Sequence, residues 1–319
     1  MPVADAIDIP LELRANDIVR HIINIDSRFR QNPTGTTTSN FYFRLQEPVK
    51  NVLRIRITSI EFPNNYLIFT AARRNIAIRI IYGTAPNTAI LTIPEGNYTA
   101  YDMATALTAA IEAVGLTWLT VAFDVITGLF TFTGTQKFAV DPGYKSFDRP
   151  FDYGLGFNLG FSLQTHIATG SGTAWTVVSD QCAYFAGDQY VFLKVNNFGC
   201  VSSKISTVPV SIIKKGPDLD NTPYTKDTVN EQTITALAKI VLKDPKNYMT
   251  FDDYASQHAK EVTFTSPTDL TRFHIQILDA YGNLLDMCSS QYSFSMEVLE
   301  VRNSSLYNTI RDSISLQYV

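Results

Sequence analysis

Cysteine is scarce in this chain. Its 319 residues include three cysteines, Cys182, Cys200 and Cys288, an odd number with no paired spacing. A disulfide framework needs an even set, and a structural zinc site needs close pairs of ligands. We therefore expect neither, and reduced thiols in a cytoplasmic compartment are the simplest interpretation.

Positive charge is not in excess either. Charged residues make up 18% of the chain and its formal net charge is −4. Nucleic acids and anionic membranes are held by basic surfaces, so we expect no direct nucleic-acid binding.

The first ten residues carry acids and no basic flank, which predicts no secretory signal. The most apolar stretch, 116–132, is interrupted by Asp124, Thr127 and Gly128, which predicts no transmembrane segment.

Residue patterns for catalysis or metal binding are also missing. The glycine run at 154–160 resembles a phosphate loop, but its last glycine is one residue late and no strand-to-helix context surrounds it. Two short acidic runs lack the length and the closing Glu of a calcium loop, so a solvated loop is favoured over a structural ion. We predict no catalytic residue, no cofactor and no metal. The groups considered are His21, His166, His258, His274, Asp218, Asp220, Asn221, Asp252 and Asp253.

Aromatic and branched residues are abundant and favour strands. The chain has 20 Phe and 16 Tyr, and such side chains pack well on a pleated surface. Residues 51–60 alternate, with Leu53, Ile55 and Ile57 on one face and Arg54 and Arg56 on the other. The region 214–230 is polar and predicts a long exposed loop. The other predicted strands are 76–82, 189–195, 236–242, 271–278 and 292–298, the last two forming a hairpin-like pair. For 236–242 a helix is the alternative.

One helix is predicted, over 100 to about 114. Thr99 is placed to cap the N-terminus of this helix, and the Asp102 side chain is placed to accept a hydrogen bond from the Thr99 amide. Gly115 is placed to end the helix. Residues 117–125 and 129–133 alternate on either side of a Gly-containing turn and predict a hairpin. Helix and hairpin together predict a small α+β lobe, followed over 141–172 by a loop with short elements.

Several segments in order carry a family resemblance. They are 23–30 (INIDSRFR), 39–45 (SNFYFRL), 51–69, 93–98 (IPEGNY), 123–134, 155–161, 278–283 (LDAYGN) and 292–294. Together they resemble the minor capsid and penton proteins of nucleocytoplasmic large DNA viruses, over roughly residues 20–300. No single segment is diagnostic, and their order makes the likeness specific.

The resemblance implies a virion protein without an active site, assembled in the host cytoplasm. Its partners would be the major capsid protein and other minor capsid proteins, or copies of itself in a vertex homopentamer. The family has no catalytic residue to carry over. Penton and minor shell protein stay open as alternatives.

The expected fold class is mainly β, a jelly-roll type β-sandwich with the inserted α+β lobe. A jelly roll suits a shell because its edges are covered while its loops and terminal arms reach neighbours. The predicted divisions are an N-terminal arm at 1–17, the sandwich at 18–93 and 166–302, the lobe at 94–165 and a C-terminal arm at 303–319.

Five residues are candidates for contacts. Arg54 and Arg56, and with them Arg28 and Arg30, are candidates for intersubunit contacts, with a solvated strand face as the alternative for the first pair. The competing function is a receptor- or glycan-binding module of similar β fold. For that function Trp175, beside a Gly- and Ser-containing turn, is the candidate exposed aromatic.

Overall fold

The computed structural model describes residues 17–84, 86–144, 154–162, 164–196, 206–214, 225–234, 236–243, 248–252 and 261–303. The chain divides into two compact units. Unit 1 comprises Met1–Tyr66, Gln189–Thr207 and Thr233–Val319, and unit 2 comprises Leu67–Asp188 and Val208–Gln232. The predicted arms fall almost wholly outside the described residues, and the predicted lobe boundaries stay a prediction.

Unit 1 is built on one antiparallel sheet. Its strands are β1 Ile18–Asp26, β2 Asn40–Pro63, β11 Tyr190–Asn196, β14 Ala238–Val241, β15 Met249–Asp252, β16 Glu261–Leu278 and β17 Ser293–Val301. They follow the order β1-β17-β2-β16-β11-β14, and β15 pairs with β2 beyond the N-terminal end of β16. A short 3-10 turn, Ser27–Phe29, follows β1.

β2 is bent back on itself near its middle. Asn51 has a φ of 50°, and its amide donates to Asp269 Oδ1 at 3.0 Å. The ring centroids of Phe41 and Phe62 lie 6.3 and 5.6 Å from that of Tyr292. A straight strand would separate Phe41 and Phe62 by about 70 Å. The two halves of β2 therefore belong to two layers of strands that face each other.

The two layers form a β-sandwich. Layer 1 consists of β15 and the beginning of β16 on one side, the second half of β2, β17 and β1. Layer 2 consists of the first half of β2, the second half of β16, β11 and β14. Strands that pass from one layer to the other through bends are a known way to make sandwich corners. The buried side chains include Ile25, Phe41, Ile55, Ile57, Leu193, Ile240, Phe273, Ile275, Met296 and Val298. The chain is mainly β, as predicted.

Unit 2 contains the predicted helix and hairpin. Thr99 Oγ1 accepts a hydrogen bond from the Asp102 amide, the Asp102 carboxylate accepts one from the Thr99 amide, and Gly115 has a φ of 74°. Two four-stranded sheets have the orders β4-β3-β7-β8 and β5-β6-β10-β9. The elements are β3 Ala77–Tyr82, β4 Asn87–Thr92, α1 Ala100–Ala113, β5 Leu119–Asp124, β6 Leu129–Gly134, β7 Phe138–Asp141, α2 Leu155–Asn158, β8 His166–Ile167, β9 Thr169–Ser171 and β10 Ala174–Val178.

Two local predictions were wrong. The predicted loop at 214–230 is in part a strand, because β12 (Ser206–Lys214) pairs with β13 (Thr225–Ile234) in a two-stranded sheet. The two C-terminal strands do not pair with each other, because β2 lies between β16 and β17 and bonds to both. Strand pairing depends on distant segments, which a local pattern cannot contain.

Candidate assembly surfaces

Arg54 and Arg56 lie on the outer face of layer 1, where acidic side chains of the same chain form ion pairs with them. Arg56 Nη2 is 3.3 Å from Glu297 Oε2, and Arg54 Nη2 is 3.5 Å from Glu297 Oε1. Arg54 Nη1 is 3.8 Å from Glu261 Oε2. The side chains of Arg54 and Glu297 are only 14% and 9% exposed. The two arginines thus stabilise a half-buried network, and their intersubunit role stays a prediction.

The other two candidate arginines differ in exposure. Arg28 is exposed and pairs with Asp26, with its Nη2 2.5 Å from Oδ2. Hydrogen bonds from the Arg28 guanidinium hold the pKa of Asp26 below its ordinary value. Arg30 bonds within its own loop, since its Nη1 donates a hydrogen bond to the Ser27 carbonyl at 2.8 Å. Of this pair, Arg28 is the one available to a neighbour.

The β1 margin, defined as Ile22 and Phe29, is an apolar border of layer 1. Among the described strands β1 bonds only to β17, so its other backbone edge has no partner strand there. The side chains of Ile22 and Phe29 are 60% and 74% exposed. A backbone edge without a partner strand is a template for pairing with another chain, and exposed apolar side chains beside it favour such a contact.

The β15 margin, defined as Tyr248, Met249 and Phe251, borders the same layer on its other side. Within the described part of the chain, β15 bonds only to β2. All three side chains are exposed, Tyr248 and Phe251 by 65% and 69%. Layer 1 therefore ends in two apolar margins of different composition.

At the paired, described positions of layer 2, the charged side chains of the outer face are all basic. Directly paired residues of an antiparallel sheet share a face, and Arg44 lies opposite Arg272, next to the pair Tyr42 and His274. Tyr42 and His274 stack at 4.5 Å, and the Arg272 guanidinium is 4.7 Å from the Tyr42 ring. Lys194 on β11 and Lys239 on β14 lie on the same face. We call the surface formed by Arg44, Arg272, Lys194 and Lys239 the cationic face.

We expect His274 to make folding stability depend on pH. Burial lowers the pKa of His274 below its ordinary 6.5, and the positive charges of Lys194 and Arg272 lower it further. The unfolded chain then binds the proton more readily than the folded one, so the stability this group contributes is fully present above pH about 6.5. It is lost as pH falls through the lowered pKa of the folded state.

The measurement is urea unfolding of the parent and His274→Gln above pH about 7 and near pH 5. The parent should lose more stability on acidification than the variant. Equal losses in both proteins would show that other groups control the pH dependence.

Trp175 is half-buried on β10. Its Nε1 donates to the Gly172 carbonyl at 3.0 Å, and Lys137 Nζ is 5.9 Å from the ring centroid. Part of the ring is thus accessible, while its polar atom is already bonded. The glycan-binding role of Trp175 stays a prediction.

The glycine run at 154–160 forms a tight turn. α2 lies within it, Gly160 has a φ of 88°, and Phe161 is buried while Phe157 is half-buried. An added Cβ on Gly156 would meet the backbone of Pro142. These glycines are explained by close packing.

Within the described ranges, no group of three His, Cys, Asp or Glu side chains is arranged to hold a metal ion. His21 and His166 each face one acid, Glu300 and Asp180. The oxygen ligands considered for a structural ion, Asp218, Asp220, Asn221 and Asp253, lie outside the described residues, as does the side chain of Asp252. No helix in the described part of the chain is both long and apolar enough to span a membrane.

Among solved structures, the chain is similar to a viral capsid component. That component is the mavirus penton protein, known from a crystal structure and 10% identical, with a TM-score of 0.41, covering 89% of this chain and 99% of that chain. No family model matches the sequence, and no curated protein matches it.

Proposed function

We propose that this chain is a structural protein of a large icosahedral virus capsid, which acts through protein contacts and catalyses no reaction. The ordered resemblance over roughly residues 20–300 supports the viral assignment. The sandwich of unit 1 suits it, because two packed layers give a rigid block whose borders and faces are available to neighbours.

The observation that carries the proposal is the pair of unlike apolar margins on layer 1. Natural proteins usually protect sheet edges with charge, proline or a covering segment. Here Phe29 and Phe251 are largely exposed on opposite borders. Contact between two different patches is heterologous, and it closes into a ring when the rotation between copies allows.

Of the two finer roles, the margins favour the penton. A ring of identical copies joined through the β1 margin of one and the β15 margin of the next is the arrangement that a five-fold vertex needs. Contacts with the major capsid protein would then use other surfaces. A minor shell protein would bind the major capsid protein without joining to itself.

The test is the mass of the purified full chain by light scattering and native mass spectrometry over a range of concentrations. A discrete oligomer of five copies, which also occupies vertices in a map of assembled capsids, is the expected result. A stable monomer that does not join capsids and instead binds a specific saccharide would contradict the proposal and favour the glycan-binding alternative.

A further inference from the structure

The cationic face is an unusual feature of an acidic protein. The chain has a net charge of −4, yet the paired positions of this face include Arg44, Lys194, Lys239 and Arg272 and no Asp or Glu. Among the described residues none of these four side chains has an ion pair. The outer face of layer 1 differs, because acids of the chain itself meet its arginines there.

The direct pairing of Arg44 with Arg272 is unfavourable for the isolated chain. Like charges opposite each other on neighbouring strands repel, whereas an acid at either position would attract. Burial lowers the pKa of His274, and the positive charges of Lys194 and Arg272 on the same face lower it further. Arginine is well suited to carboxylates because its planar guanidinium can donate two parallel hydrogen bonds.

We propose that the cationic face binds an acidic segment of a partner protein. Charge complementarity identifies the occupant as a carboxylate-bearing polypeptide, seated across β2, β16 and β11. Tyr42 positions the basic groups, since its ring already contacts His274 and Arg272.

A nucleic acid fits this face less well. Long polyanions are held by many phosphate contacts, whereas a short acidic segment can pair with the four described cations of the face. The inference does not depend on self-assembly, because it uses layer 2 and the proposed ring contacts use layer 1.

The test measures binding of a fluorescent deca-glutamate peptide to the full chain by anisotropy. The charge-reversal variant Arg44→Glu/Arg272→Glu is expected to bind at least tenfold more weakly than the parent. The matched control is Arg74→Glu/Lys137→Glu, which changes the net charge equally at exposed positions of unit 2 and should bind like the parent. Rising salt should weaken parent binding, because exposed charges are screened.

A neutral variant, Arg44→Gln/Arg272→Gln, keeps the test decisive if charge reversal impairs folding. Its affinity for the peptide should lie between those of the parent and the charge-reversal variant. Equal affinity of the reversal and control variants would overturn the proposal. So would tighter binding of a duplex DNA of equal charge than of the peptide. Neither result would alter the oligomer mass. Failure of the acidic-segment proposal can therefore be distinguished from failure of the proposed ring assembly.

Discussion

Replacing Phe251 with Asp is expected to weaken self-association of this protein about 100-fold. Burying a Phe side chain contributes about 1.5–3 kcal/mol, and a carboxylate in the same contact adds a desolvation cost. About 2.8 kcal/mol corresponds to a factor of roughly 100 in the dissociation constant. Sedimentation or light scattering over a concentration series measures the change. Phe29→Asp, on the β1 margin, should have a similar effect.

The control is Ile126→Asp, which places the same charge on an almost fully exposed apolar residue in the β5–β6 turn. That variant should assemble like the parent. If all three variants assemble equally well, the margins are not the contact surfaces.

Mixing the two margin variants tests the geometry of the contact. Phe29→Asp retains an intact β15 margin and Phe251→Asp retains an intact β1 margin. Contact between unlike margins predicts that the mixture forms a dimer with one copy of each, while each variant alone remains monomeric. An isologous contact, in which like margins meet, predicts no such complex, and native mass spectrometry separates the two results.

Local structure was largely predictable from the sequence. The alternation over 51–60 identified the buried face of β2, and Thr99, Asp102 and Gly115 identified both ends of α1. These signals are short-range, since each depends on residues within a few positions of one another. The mainly β fold class followed from the same kind of evidence.

The surfaces depend on long-range pairing and were not predictable. Arg44 and Arg272 each stand at an outward position of an alternating run, but only the register of β2 with β16 places them opposite each other. Similarly, Arg54 and Arg56 were expected to face solvent or a neighbour. The acids that pair with them, Glu261 and Glu297, come from strands more than 200 residues away in the chain.

Glu297 is the only described acid in contact with both Arg54 and Arg56. Glu297→Ala is expected to destabilise folding by about 3 kcal/mol, because it leaves the poorly exposed Arg54 charge without its main partner. Arg54 also has a buried Nε with no hydrogen-bond partner, and the other acid near its guanidinium, Glu261, is more distant at 3.8 Å. Urea unfolding monitored by circular dichroism gives the free energy of unfolding.

Glu261→Ala is the matched control. Its carboxylate is more exposed and lies 3.8 Å from Arg54, so removing it should cost less than about 1 kcal/mol. The double variant Arg54→Met/Glu297→Leu should recover most of the stability lost in Glu297→Ala, because packed apolar side chains often replace a buried ion pair without loss. If Glu297→Ala and Glu261→Ala cost the same, or the double variant recovers nothing, the network does not stabilise the sheet by charge pairing.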